Sequence, residues 1–131
     1  MITLKRAYDP FSRSDGRRIL VERLWPRGVS KARLHAEWLK DVGPSTELRK
    51  WFGHDPQKWD TFRRRYAREL DTRKEAWKPI VAAARRGRVT LIYSSHDTVH
   101  NNAVALQQYL RSKKRRRAAP TPRVALTRSR R

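Results

Sequence analysis

The chain has 131 residues, with 33 Lys and Arg against 12 Asp and Glu, a formal net charge of +21 and no cysteine. That length supports one hydrophobic core and not two, and the lack of thiols excludes disulfides, thiolate metal sites and a cysteine nucleophile. A pI near 11.6 favours polyanionic partners: nucleic acid, anionic lipid or phosphorylated ligands.

Met1–Arg6 carries no long apolar run and no cleavage site, and no stretch approaches transmembrane length. The expectation is a cytoplasmic protein with no membrane partner. Ile2 and Leu4 alternate with Thr3 and Lys5, which predicts a short strand within 2–8. Residues 9–16 are turn-rich. Ile19, Leu20 and Val21, then Leu24 and Trp25, predict a second strand over 17–25, at least half buried and ended by Pro26 and Gly28. The short link between the two suits a hairpin better than a parallel crossover. Ser30 is placed to cap a helix running to about Leu39, with Leu34 and Trp38 at i, i+4. Gly43-Pro44 breaks it. Ser45 then caps a short helix that has Glu47 in its first turn and Gly53 past its end. Asp55-Pro56 restarts the chain in a helix whose Trp59, Phe62, Tyr66 and Leu70 form one apolar stripe.

A further helix over 74–86 turns Trp77, Ile80, Val81 and Ala84 inward, with Pro79 either kinking it or starting it. Val89–Tyr93 is the clearest strand of the chain, and Ser94, Ser95 and Asp97 offer caps for a helix running to about Arg111. Its apolar face would be Val99, Ala103, Leu106 and Leu110. Residues 113–131 hold nine Lys and Arg, no acid and no apolar face. Such a segment cannot offset its ordering entropy and reads as a disordered basic tail. The organisation expected is an α/β domain over 1–112, net charge +12, and a tail over 113–131, net charge +9. The domain should be three-layered, with a small, mainly parallel sheet of three or four strands flanked by helices.

Several motifs have a familiar spelling. Arg23-Leu24-Trp25-Pro26-Arg27-Gly28 and the run Pro44 to Asp55 are followed by Trp59, Phe62, Tyr66 and Glu69-Leu70. Val89–Tyr93, Asp97, His100-Asn101 and Ala103 complete the series. Across nearly all of residues 2–111 the chain resembles the YeaO-like family, domain of unknown function 488. The resemblance implies a bacterial α/β fold and brings no established activity. The broader group has a Cys-His-Arg run after its last strand. Here Val99-His100-Asn101 stands in the corresponding place, which removes any thiol chemistry. Pro79 and the basic tail also depart from the usual pattern.

Ligands of α/β sheets bind beyond the carboxyl ends of the strands, and two polar motifs fall there. One is Arg23, Trp25, Arg27 and Gly28; the other is Asp97, His100 and Asn101. The arginines are planar donors suited to phosphate or carboxylate. His100 is a candidate general acid or base oriented by Asp97. Each has a structural alternative: an ion pair of Arg23 with Glu22 or Asp97, core packing for Trp25, a helix cap for Asp97, a satisfied structural histidine at 100. The segment Arg49-Lys50-Trp51-Phe52-Gly53-His54, Arg49 and Trp51 foremost, mixes cations and rings as a stacking platform would, or Trp51 and Phe52 bury with Leu48 while the cations are solvated. Arg63-Arg64-Arg65 reads as a solvated helix face. His96 and His100 have metal-ligand spacing but no third ligand, so no metal and no cofactor is assigned. The leading expectation is a protein that binds a nucleotide or other phosphate-bearing anion at the carboxyl edge of the sheet, with a tail that attracts nucleic acid. The alternatives are a small-substrate enzyme using His100 with Asp97 and arginine clamps, and an interaction protein docking an acidic partner.

Overall fold

The run richest in β-branched and aromatic residues takes the centre of the sheet. In the computed structural model, which describes residues 1–118, four strands form in chain order: β1 (Ile2–Arg6), β2 (Arg17–Leu20), β3 (Glu37–Trp38) and β4 (Val89–Tyr93). The sheet order is β1-β4-β2-β3, and every pairing is parallel. All five residues of β4 are buried, as a strand flanked on both edges and covered on both faces requires.

The first two strands are therefore not a hairpin. They lie on either side of β4, with Ile2 opposite Val89 and Ile19 opposite Leu91. Residues 7–16 carry the chain back across the sheet without a helix. At ~3.3 Å per residue an extended link of that length reaches further than a five-residue strand. The return closes on a 3-10 turn at Arg13–Asp15, capped by Ser12. Gly16 follows at φ +68, where a Cβ would lie 2.2 Å from the Arg88 carbonyl oxygen, so only glycine fits this approach.

Strand β2 also ends earlier than the expected span of 17–25. Val21 still donates to the Ile92 carbonyl at 3.3 Å, but the chain then turns away and Leu24 is exposed. The helix expected over 30–39 shortens to a single turn, α1 (Lys31–Leu34), capped by the Ser30 side chain and closed by His35 in the left-handed conformation. Glu37 and Trp38 instead pair with Ile19 and Leu20 as an edge strand, the Leu39 amide donates to the Leu20 carbonyl at 3.0 Å, and Arg17 pairs with Glu37. The open edge of β2 gives this segment ladder bonds in place of helical ones.

Strand alternation gives the sheet two unlike faces. Ile2, Leu4, Ile19, Val89, Leu91 and Tyr93 belong to the main apolar core. Helices α2 (Thr46–Phe52), α3 (Trp59–Asp71), α4 (Lys74–Arg86) and α5 (Asn102–Ala118) complete that core. The expected stripe holds: Phe62, Tyr66 and Leu70 are fully buried, and the Tyr66 hydroxyl donates to the Val42 carbonyl at 2.6 Å. Pro79 lies inside α4 on its exposed side. Val99 precedes α5 in an exposed loop instead of joining its apolar face. The helix continues past Arg111 to Ala118, and Lys113 approaches Asp71 at 3.6 Å. The rest of the expected tail lies outside the described residues.

The other face carries Thr3, Lys5, Arg18 and Thr90 beside a small apolar cluster of Ala7, Leu20, Leu34 and Ile92. Its cover is the 7–16 link and α1. The link contributes Asp15, which accepts from Lys5 at 3.1 Å and Arg18 at 2.6 Å, while the Thr90 hydroxyl donates to the Asp15 carbonyl at 2.6 Å. The third layer is thus an ion-paired link with one helical turn. Among the described residues no helix is long and apolar enough to cross a membrane.

Candidate functional site

Because β1, β2 and β4 run the same way, Arg6, the Glu22–Arg27 segment and Ser94–His96 emerge at one edge of the sheet. Beyond β2 the chain continues to α1, whose Leu34 packs on the polar face. Beyond β4 it continues to α5, over the apolar face. A crevice opens where neighbouring strands part in this way. Here it is a cleft of about 760 Å³, within the range of small-ligand sites.

Phe52 and Phe62 are buried aromatic residues of its lining, and Tyr8, Leu24, Trp25, Pro26 and Pro44 give it further apolar surface. The Pro44–Ser45 segment is clamped by α3: Glu69 accepts from the Ser45 amide at 2.8 Å and from its hydroxyl at 2.6 Å. Ser45 in turn caps α2, whose Leu48 and Phe52, at i, i+4, bury together. This places Arg49, Lys50 and His54 among the exposed residues of the lining, to which the loop after β2 adds Arg27.

The cations of the cleft fall into two groups. Arg6 is tied down: Nε donates to the Ser95 carbonyl at 2.8 Å and Nη2 to the Ser94 carbonyl at 3.2 Å, with His96 Nδ1 3.4 Å away. Arg23 is likewise held, through Nε to the Pro44 carbonyl at 2.9 Å, and its nearest carboxylate is the exposed Asp41 at 3.9 Å, neither Glu22 nor Asp97. Arg27, Arg49 and Lys50 line the cleft with no side-chain hydrogen bond among the described residues.

Set against them is one acid. Glu22 accepts from the Ser94 amide at 3.2 Å and from the Ser94 hydroxyl at 2.8 Å, so it bridges the ends of β2 and β4 across the crevice. Its carbonyl accepts from the Trp38 indole at 2.7 Å, which holds the segment on the other side. Burial pushes the Glu22 carboxyl above its ordinary range, against the pull of both Ser94 donors and of the charges on His54 and Arg49.

The residues singled out by sequence divide accordingly. Arg23, Trp25, Arg27, Arg49 and Asn101 line the cleft together. Trp25 does so while also packing: its indole donates to the Val29 carbonyl at 2.5 Å and its ring meets Trp38 edge-on at 5.3 Å. Gly28 lies beyond the cleft, in a turn at φ +78 that disfavours side chains. Trp51 faces away from the cleft, with Lys58 and Arg65 5.0 and 4.8 Å from its ring centre; its neighbour Phe52 takes the cleft position. Asp97 and His100 also lie outside the lining. Asp97 Oδ1 accepts from the Val99 and His100 amides at 2.9 Å each, and Oδ2 is 3.0 Å from His100 Nδ1. Those amides, with the imidazole, hold its carboxyl below the usual range. The His100 ring packs edge-on against Trp59 at 5.3 Å. Asn101 is the cap of α5, with Oδ1 accepting from the Val104 amide at 3.0 Å and Nδ2 donating to the Asp97 carbonyl at 2.9 Å. Among the described residues no cluster of His and carboxylates could hold a metal. Sequence reasoning misses Glu22 as a cleft residue, and in the platform segment Arg49 to His54 the ring at the cleft is Phe52 and not Trp51. Glu22 carries a signal, an acid directly after an apolar strand, but enters that reasoning only as a partner for Arg23.

Comparison with known proteins places the sequence in a family. The family profile described as "Inactive DUF488-N3 subclade" matches residues 1–125. The uncharacterised protein YeaO of Escherichia coli is 46% identical over 112 residues, covering 85% of this chain and 97% of that protein. Uncharacterised proteins of Mycobacterium bovis and Mycobacterium tuberculosis are each 34% identical over 110 residues, covering 83% of this chain and 92% of theirs. No solved structure gave a significant match. With the profile and the full-length relatives in agreement, the chain belongs to the YeaO-like family, domain of unknown function 488.

Proposed function

We propose that the chain is a cytoplasmic binding protein for a phosphate-bearing anion, a nucleotide fitting best, held in the cleft at the carboxyl edge of the sheet. The observation that carries this reading is the untethered set of Arg27, Arg49 and Lys50 around a cleft lined by Trp25 and Phe52. A cation already bonded to the protein has little left to give a ligand, whereas an unpaired guanidinium can take phosphate oxygens bidentately. The aromatic surface offers stacking to a ring. His100 bonds to Asp97 and packs on Trp59, and the matching subclade is described as inactive; both favour binding over turnover.

The test is a titration of the full chain with nucleoside diphosphates at low salt, followed by tryptophan fluorescence. Binding that falls at least ~10-fold in the Arg27→Ala, Arg49→Ala double variant, with circular dichroism unchanged, supports the reading. Undiminished binding in that variant overturns it. The nine cations of residues 113–131 add a sequence-tolerant affinity for nucleic acid in the same proposal. Removal of residues 119–131, which leaves α5 whole, should flatten the log–log salt dependence of DNA binding by ~0.7–0.9 for each phosphate no longer neutralised. An unchanged slope would discard that role for the four cations removed.

A further inference from the structure

The cleft holds one acid among its described lining residues, and that acid sits where a purely anion-binding site would have no use for it. We propose that Glu22 is a specificity determinant: it selects a ligand whose far end presents two adjacent N–H donors, a guanine nucleotide, while the phosphates lie on Arg27, Arg49 and Lys50. The inference rests on the binding reading above and deepens it.

The geometry of Glu22 carries the argument. Its two oxygens each take one hydrogen bond from the same residue, Ser94, one from the amide and one from the hydroxyl. The carboxylate is therefore fixed in orientation, and each oxygen keeps acceptor capacity. No cation of the described residues is bonded to it. Arg23, its chain neighbour, is tied to the Pro44 carbonyl, and Arg6 to Ser94 and Ser95. The remaining lone pairs thus await donors that the ligand must bring.

This arrangement discriminates in two ways. A bare phosphate drawn in by the rim would meet a carboxylate if it moved inward, a like-charge contact that disfavours it. A planar base passing between the apolar walls would meet the same carboxylate edge-on. Guanine presents N1–H and the N2 amino group side by side, matching the two oxygens. Adenine and cytosine present an amino donor beside a ring-nitrogen acceptor, so one Glu22 oxygen would face a lone pair. Uracil has a single N–H between two carbonyls. Sites built around a hydrogen-bonding pattern reject ligands that leave it unmet far more strongly than apolar pockets reject a change of size.

The experiment compares guanosine, inosine and adenosine diphosphates on the full chain, in the wild type and in Glu22→Gln, with the Arg27→Ala, Arg49→Ala variant as the control for the phosphate end. The expected order is guanosine, then inosine (which lacks the N2 donor), then adenosine, with at least ~10-fold between first and last. Glu22→Gln should bring the three within ~3-fold of one another while the rim variant weakens all three equally. Guanosine and adenosine diphosphates binding equally to the wild type would overturn the role of Glu22 and leave the anion site standing. Binding of none of the three would overturn the anion site and the selection together. Should Glu22→Gln fail to fold, the wild-type order and a Ser94→Ala variant, which loosens the carboxylate, decide the matter: an unchanged order in Ser94→Ala with no guanine preference in the wild type sinks the proposal.

Discussion

Arg18 and Arg27 are the same side chain in two opposite situations. Arg18 lies under the sheet, 3% exposed, with Nη1 on Asp15 at 2.6 Å and Nε on the Leu34 carbonyl at 3.0 Å. Arg27 stands at the cleft with its guanidinium unbonded among the described residues. In a chain of net charge +21, counting cations cannot find a site, because most of them are solvated and several are structural. What distinguishes a ligand-ready arginine is that the protein has committed none of its donors. By that criterion Arg6 and Arg23 belong with Arg18, although they line the cleft.

Arg18 is where this contrast is most exposed to refutation. Truncation to Ala strands the Asp15 carboxylate with only Lys5 as a cationic partner, and breaking a buried pair costs about 3–5 kcal/mol. Chemical denaturation of Arg18→Ala should show that loss; a variant as stable as the parent would place Arg18 with the expendable cations. Arg27→Ala and Arg49→Ala should do the reverse. Their stability should stay within about 0.5 kcal/mol of the parent, while affinity for a nucleoside diphosphate drops.

Acid titration probes the same difference. Burial raises the Asp15 carboxyl, but the hydrogen bonds from Lys5, the Ser12 amide and Arg18 outweigh that and leave it below the ordinary value of 3.8. A depressed carboxyl contributes stability that is present above its unfolded value and is lost as pH falls through the folded one. The parent should therefore lose stability on acidification below about pH 4, and Asp15→Asn should lose less over that window, starting from a lower plateau. Parallel curves for the two would remove Asp15 from the account. The smallest effect belongs to the exposed pair of Arg17 and Glu37 at the edge strand. A double-mutant cycle there should return about 0–1 kcal/mol, and less at high salt.

Much of the fold is legible in the sequence because its signals act over one or two turns. Ser45 and Asp55 cap where their spelling says they should, since a side-chain oxygen needs only the amide two or three residues on. The stripe Phe62, Tyr66, Leu70 and the strand Val89–Tyr93 declare their burial by composition and spacing alone. The helix over 30–39 misleads because Leu34 and Trp38 satisfy helical spacing. The bonds that draw Glu37 and Trp38 into the sheet come from Ile19 and Leu20, which no local pattern records.

The α/β class, helices α2 to α4, the strand Val89–Tyr93 and the polar motifs after two strands all follow from neighbours in the chain, so the sequence alone suffices for them. How those motifs meet depends on partners far apart in the chain. Long-range packing put β4 between β1 and β2, closed the crevice with a contact between Glu22 and Ser94, 72 positions apart, and turned His100 onto Trp59 and out of the cleft. The physical reason is that a side chain's spare hydrogen-bonding capacity is set by what the fold brings beside it. Arg18 has its donors on Asp15 and Leu34, and Arg27 is left with all of its own.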